Sequence, residues 1–235
     1  MGIRYKAIVF DLDDTLRLST PPFLDRLRLC LEQAGIPVRL PEWRDVERWI
    51  HWYWAQSPEI RADVERYGQE GVWRAFWRRL MAKVGYEGAE EEAARLSELF
   101  LTDYRPRSIP RPGTQELLSW LRWQRVTLGV LSNRSQPFDE ELHALGLSAY
   151  FDFTLHALAV GTFKPDPRVF RAALECIGPV APYEVLYVGD NYYADVLGAQ
   201  GAGMDAVLID ERGIYADVNC PVVRSLEELI PLITS

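Results

Sequence analysis

Hydrophobic residues along the chain fall into short unbroken runs that stop abruptly at small or polar residues. Ala7–Phe10 runs into Asp11, Val126–Leu131 into Ser132, Val185–Val188 into Gly189-Asp190, and Ala206–Ile209 into Asp210, with a weaker run over Phe153–Leu158. Runs this short, apolar throughout rather than alternating, predict parallel strands covered on both faces. Between them lie segments with helical spacing: Thr114–Arg125 (Leu117, Leu118 and Leu121 on one side), Pro137–Leu145, Pro167–Ile177, Ala194–Ala202, and Ser225–Ile230 running into Pro231. Prolines near the starts, and Gly146 and Gly178 just past two of the ends, are the punctuation such helices take. Strand and helix in alternation predict an α/β fold built on a doubly wound parallel sheet.

The stretch from Leu16 to Pro110 breaks that rhythm. It shows no convincing strand, and helices are predicted over Pro22–Ala34, Pro41–Ala55, Pro58–Tyr67, Gly71–Val84 and Ala89–Tyr104. Six of the eight tryptophans fall here, so this segment has its own apolar core to build. The expected organisation is a core of residues 1–15 and 110–235, interrupted by an all-helical insert over 16–109. Tyr104–Gly113, with prolines at 106, 110 and 112, is the expected stiff return.

Composition narrows the function classes. The 235 residues carry a net charge of −8, which argues against nucleic acid, whose binders gain affinity by neutralising phosphates with a basic face. Cys30, Cys176 and Cys220 are few and scattered, implying neither a disulfide framework nor a zinc site, and a reducing cytoplasmic compartment is the expectation. The apolar run near the N-terminus is too short for a signal peptide, and no run reaches membrane-spanning length, so no membrane partner is expected. Of 26 basic residues only Lys6, Lys83 and Lys164 are lysines, which makes a lysine beside a motif worth attention.

The polar residues at the strand ends carry the chemistry. Ligands of open α/β sheets bind beyond the carboxyl ends of the strands. If Asp11-Leu12-Asp13 stays extended, its two carboxylates point the same way, and two charges about 4 Å apart repel by roughly 4 kcal/mol at an effective dielectric near 20. A cation or a raised pKa must relieve this, and hard oxygen ligands favour Mg²⁺. A solvated turn is the plainer reading of that pair taken alone. Asp14 and Thr15 read mainly as turn and capping residues. Ser132-Asn133 ends the second long run, where a hydroxyl and backbone N–H groups can take phosphate oxygens. Lys164, just before a predicted helix, offers a compact charge for several oxygens. Asp190 stands where it can complete a metal site with Asp11, and Asp195 where it can fix Lys164 or a metal-bound water. Each has an ordinary alternative as cap, surface lysine or helix N-terminal acid.

Together these ordered pieces (Asp11-Leu12-Asp13-Asp14-Thr15, Ser132, Lys164, and Gly189-Asp190 with Asp195) resemble the haloacid dehalogenase-like superfamily of phosphohydrolases, in its phosphoglycolate phosphatase-like branch with an α-helical cap. The resemblance implies a Mg²⁺-dependent phosphatase acting on a small-molecule phosphomonoester through an aspartyl-phosphate, as monomer or homodimer. It implies Asp11 as nucleophile and Asp13 as general acid and base. Ser132 and Lys164 are then catalytic holders of the phosphoryl oxygens, with Thr15 and Asn133 also lining the substrate. The Mg²⁺ ligands become Asp11, Asp190 and the Asp13 carbonyl, supported by Asp195. Two rival readings are a 2-haloacid dehalogenase-like hydrolase, whose family members typically carry Tyr where this chain has Asp13, and a non-enzymatic phospho-accepting module, which is much shorter than this chain. Arg134 departs from the Gly or Lys that relatives often carry after Ser132-Asn133. In the insert, 14 basic residues face 15 acids between Arg17 and Arg105, so its charge demands no second anionic group on the substrate. The aromatic stripes Trp49, Trp52, Tyr53 and Trp73, Phe76, Trp77 read first as helix-to-helix packing.

Overall fold

The structure is a computed structural model describing residues 2–36, 40–86 and 90–234. The chain divides into two compact units. Residues up to Leu18 together with those from Ser108 onward form one, and Ser19–Arg107 form the other.

In the first unit, β1 (Ala7–Phe10), β4 (Thr127–Ser132), β5 (Phe153–His156), β6 (Val185–Gly189), β7 (Asp205–Ile209) and β8 (Val222–Val223) form one sheet in the order β5-β4-β1-β6-β7-β8. Each neighbouring pair in this sheet is parallel, with Phe10 opposite both Val130 and Val188. The unbroken apolar runs have a direct cause. Ile8 and Phe10, Leu128 and Val130, and Leu186 and Val188 enter one core, with helix α5 (Thr114–Trp123), α6 (Asp139–Ala144) and α10 (Leu229–Ile233). The alternate residues Ala7 and Val9, Leu131, and Val185 and Tyr187 enter a second core, against α8 (Pro167–Ile177) and α9 (Leu197–Gly201). Both faces of each central strand are therefore dry. Gly129 is needed within β4, because a Cβ there would lie 2.1 Å from the Phe153 ring on β5.

Several elements differ from the sequence expectation. Within 16–110 no strand was expected, yet β2 (Arg17–Thr20) and β3 (Arg107–Pro110) pair as a two-stranded sheet. Both are short and mostly half-exposed, so they carry no hydrophobic pattern. The weak run Phe153–Leu158 is a strand only to His156, after which a helical turn, α7 (Ala157–Val160), begins under a His156 side-chain cap. The segment Ala194–Ala202 opens instead as a π-helix over Tyr192–Val196 before α9. The last helix starts at Leu229 rather than Ser225, so Pro231 sits in its first turn, where its missing N–H costs nothing. The expected helix start at Ala89 lies outside the described residues.

The second unit is helical: α1 (Phe23–Gln33), α2 (Leu40–Trp54), α3 (Pro58–Lys83) and α4 (Glu90–Asp103). Two helices were expected where α3 runs, and the backbone is broken at Gly68, whose φ of +71° is a left-handed conformation glycine takes without strain. The aromatic stripes pack against each other. The Trp49 and Phe76 rings stack at 5.8 Å, and Tyr53, Phe76 and Trp77 are buried, whereas Trp73 stays half-exposed. Beneath them Asp63, buried, accepts two bonds from Arg79 and one from the Tyr53 hydroxyl at 2.9 Å, so its charge and oxygens are matched inside the unit. Among the described residues no helix is long and apolar enough to cross a membrane.

Candidate active site

β1 is the central strand where chain order reverses, with β4 on one side and β6 on the other, and ligands of such sheets collect beyond its carboxyl end. Asp11 continues the strand, its N–H donating to the Val188 carbonyl at 2.8 Å. The chain then turns sharply. The Leu12 carbonyl accepts from the Leu16 and Arg17 N–H groups, and Asp14 takes a positive φ of 55°, a conformation aspartate tolerates better than most residues. The buried Arg111 locks this turn from below, donating to the Thr15 and Asp14 carbonyls at 2.9 and 2.6 Å.

Lys164 reaches in from the segment before α8 and is almost fully buried. Its ammonium lies 2.6 Å from Asp11 Oδ1, 2.6 Å from Asp195 Oδ1 and 2.9 Å from the Tyr187 hydroxyl. Burial alone disfavours its charge, but Asp11 and Asp195 overcome that and hold it protonated well beyond the usual lysine range. Its backbone is fixed too. Lys164 N–H donates to Asn133 Oδ1 at 2.7 Å, and Asn133 Nδ2 donates back to the Lys164 carbonyl at 3.2 Å. The Asn133 amide, expected to line the substrate, is thus engaged with the lysine backbone. Asp195, a residue of the π-helix, gives its second oxygen to the Asn191 N–H at 2.9 Å. Gly189 makes room for it, since a Cβ there would meet Asp195 Oδ2 at 2.3 Å.

Asp190 completes the acidic cluster. Carboxylate oxygens of Asp11, Asp190 and Asp195 lie within 4.8 Å of one another, and the Thr15 hydroxyl is 3.4 Å from Asp190 Oδ1. Burial raises the Asp11 carboxyl from 3.8 to about 7, with Lys164 pulling it back and Asp195 and Asp13 pushing it up. Asp190 is pushed well above the ordinary range by burial, then by Asp11 and Asp195. One ammonium does not neutralise three clustered carboxylates, two of them buried. Hard oxygen donors gathered this closely fit a divalent cation. Asp195, expected only to support a metal, stands within the cluster itself.

Asp13 faces the other way into a second set of charges. Arg134 Nε and Nη2 grip its two oxygens at 2.8 and 2.7 Å, Arg17 Nη1 lies 3.0 Å from Oδ1, and the buried Ser132 hydroxyl is 3.4 Å from Oδ2. Glu141 on α6 accepts from Arg134, Arg17 and Ser108. Burial works against the Glu141 charge, but the bonds from Arg134 and Ser108 bring its carboxyl down to about 2. All the expected residues Asp11, Asp13, Thr15, Ser132, Asn133, Lys164, Asp190 and Asp195 therefore gather at one end of the sheet. Tyr187, Arg17, Arg111 and Glu141 were not foreseen. Tyr187 carries the one hydroxyl in an otherwise apolar strand, which was a usable signal, but the arginines were hidden among 23 of their kind.

Residues 5–203 match the family of haloacid dehalogenase-like hydrolases. The chain belongs to that family. The haloacid dehalogenase-like fold is also that of a magnesium-bound hydrolase, YfnB, from Bacillus subtilis, with a TM-score of 0.63 at 24% identity over 98% of this chain and 99% of that one. Among proteins similar in sequence is a phosphoserine phosphatase from Thermus thermophilus, 33% identical over 89% of this chain and 90% of that protein. A phosphoglycolate phosphatase from Caulobacter vibrioides is 30% identical over 86% of this chain and 78% of that protein. The chain is an enzyme of this hydrolase family, and its phosphatase relatives support phosphohydrolysis.

Proposed function

We propose that the protein is a Mg²⁺-dependent phosphomonoesterase for small metabolites, working through a phosphorylated Asp11. The observation that carries this reading is the buried Lys164 bridging Asp11 and Asp195, with Ser132 and Asp13 beside them. An Asp11 oxygen attacks phosphorus as the ester P–O bond breaks, and the bonding pair leaves on the ester oxygen, which takes a proton from Asp13. Water then attacks the phosphorus, Asp13 receives its proton, and the Asp11–phosphorus link opens to release inorganic phosphate. Lys164 and Ser132 hold the phosphoryl oxygens in both steps. Asn133 and Tyr187 keep Lys164 in place. Asp11, Asp190 and the Asp13 carbonyl hold the Mg²⁺, backed by Asp195. When bound, the ion offsets the acids and the phosphoryl charge. The helical unit serves as the cap. An aspartate at position 13 suits an alcohol leaving group that needs a proton, which a halide does not.

The test is phosphate release from p-nitrophenyl phosphate and from a panel of metabolite phosphomonoesters, with Mg²⁺ and with EDTA. Turnover that requires Mg²⁺ supports the reading; silence across the whole panel, or chloride release from a 2-haloacid instead, overturns it.

The same cluster sets a pH dependence. In metal-free protein the Asp11 carboxyl sits at about 7, against 3.8 for an ordinary aspartate. Between those values the folded chain binds more protons than the unfolded one, so stability falls as pH rises through that window, by at most about 4 kcal/mol. Mg²⁺ binds the ionised carboxylates and offsets the loss. Thermal melts in EDTA should therefore decline between about pH 4 and about pH 7, and the rise in Tm on adding Mg²⁺ should grow over the same interval. A Mg²⁺ effect equal at both ends would contradict this.

A further inference from the structure

Asp13 is more exposed than Asp11 and Asp195, with its side chain 37% accessible, and a carboxylate there would turn freely about its χ angles unless held. It is held. Arg134 presents the two-pronged edge of its guanidinium to both Asp13 oxygens, and that fork is fixed on two further sides. Its remaining nitrogen, Nη1, donates to Glu141 on α6, and its face lies over the buried Phe138 ring, 5.8 Å from the centroid. Glu141 is itself anchored by Arg17 Nε at 3.0 Å and by the Ser108 hydroxyl. Arg17 closes the circuit with its bond to Asp13. Two cations face two acids, so the assembly is neutral while Asp13 is ionised and carries one net positive charge when Asp13 holds the proton it delivers. A planar fork locks a carboxylate plane in a way a lysine point charge cannot.

We propose that Arg134, anchored by Glu141 and Phe138, is the positioning residue that orients the Asp13 carboxyl toward the leaving-group oxygen. The inference rests on the phosphomonoesterase reading and concerns one step of it, proton delivery as the P–O ester bond breaks. Arg134 itself need touch neither phosphate nor metal. Proton delivery matters in proportion to how poor the leaving group is. A p-nitrophenolate departs without help; a phenolate or p-methoxyphenolate of the same shape needs the proton.

The experiment is a series of para-substituted phenyl phosphates assayed with wild type, Arg134→Gln, Arg134→Lys and Glu141→Gln in saturating Mg²⁺. The quantity read is kcat/KM, which reports steps through transfer to Asp11. General acid help is worth about 10²- to 10⁴-fold, so losing its orientation should cost tenfold or more on phenyl and p-methoxyphenyl phosphate, and less than about threefold on p-nitrophenyl phosphate. Arg134→Lys should show the same steepening, because it keeps the charge and loses the fork. Glu141→Gln should show a weaker version. Equal losses on every ester, or none, would overturn the proposal and leave the phosphatase reading intact, as would full rescue by lysine. A wild type that turns over no ester in the series or the metabolite panel would overturn both.

Discussion

Asp11→Asn is expected to abolish phosphate release and phosphoenzyme formation while leaving a folded protein. The amide cannot form the acyl-phosphate bond, so the loss should reach about four orders of magnitude or more, on the scale seen when a covalent nucleophile is removed. Folding should survive. Lys164 keeps Asp195 at 2.6 Å and the Tyr187 hydroxyl at 2.9 Å, and an Asn removes a carboxyl whose charge is already disfavoured by burial. Rapid quench with a ³²P-labelled ester would detect the covalent intermediate in wild type and its absence in the variant, with circular dichroism reporting the fold. Retention of more than about a hundredth of the wild-type rate would remove Asp11 from the nucleophile's role.

Lys164→Met should produce the largest loss of stability of any single substitution at the site. The side chain is nearly isosteric, so packing changes little, but the ammonium between Asp11 and Asp195 is gone. Removing one member of a buried charged pair typically costs about 3–5 kcal/mol, because the partner is left in a dry site without compensation. Here two partners are left, with Asp190 close by. The penalty should be greatest above neutral pH and shrink toward about pH 5, where the orphaned carboxyls can take protons instead. Mg²⁺ should recover part of it. Activity should fall about 10²- to 10³-fold, the range for losing one strong stabiliser of transition-state charge. Urea titrations at two pH values, with and without Mg²⁺, test each part. A variant as stable as wild type at high pH in EDTA would mean that the ammonium does not hold the acids together.

The two substitutions differ because Asp11 and Lys164 meet the same neighbours with opposite charge. Burial disfavours ionisation of both, but the cluster around them is acidic, so it works against the carboxylate and for the ammonium. The Asp11 variant therefore reports chiefly on chemistry, and the Lys164 variant on chemistry and stability together.

The central strands were legible in the chain because a parallel strand covered on both faces must be apolar at every position, and Ala7–Phe10 and Val185–Gly189 are buried throughout. The acids at their ends were legible for the related reason that polar residues are excluded until the strand emerges. β2 and β3 were not legible, since four-residue, mostly half-exposed strands such as Arg17–Thr20 leave no pattern for burial to write. The π-helix at Tyr192 and the helix through Pro231 also escaped, because propensity and punctuation describe isolated segments and not the packing that overrides them. Residue types and order thus determined an α/β sheet, an inserted helical segment and a short list of acids, a serine and a lysine with phosphoryl-transfer character. Tertiary structure alone decided which partners they have. Sheet order brings Lys164 to Asp11 across 153 positions and Arg134 to Asp13 across 121, and no local pattern encodes either distance. Nor could the chain show that the Asn133 amide braces Lys164, or that Arg134 and Arg17 grip the carboxyl of Asp13, because a charged side chain's partner is set by where folded strands end and not by its neighbours in sequence.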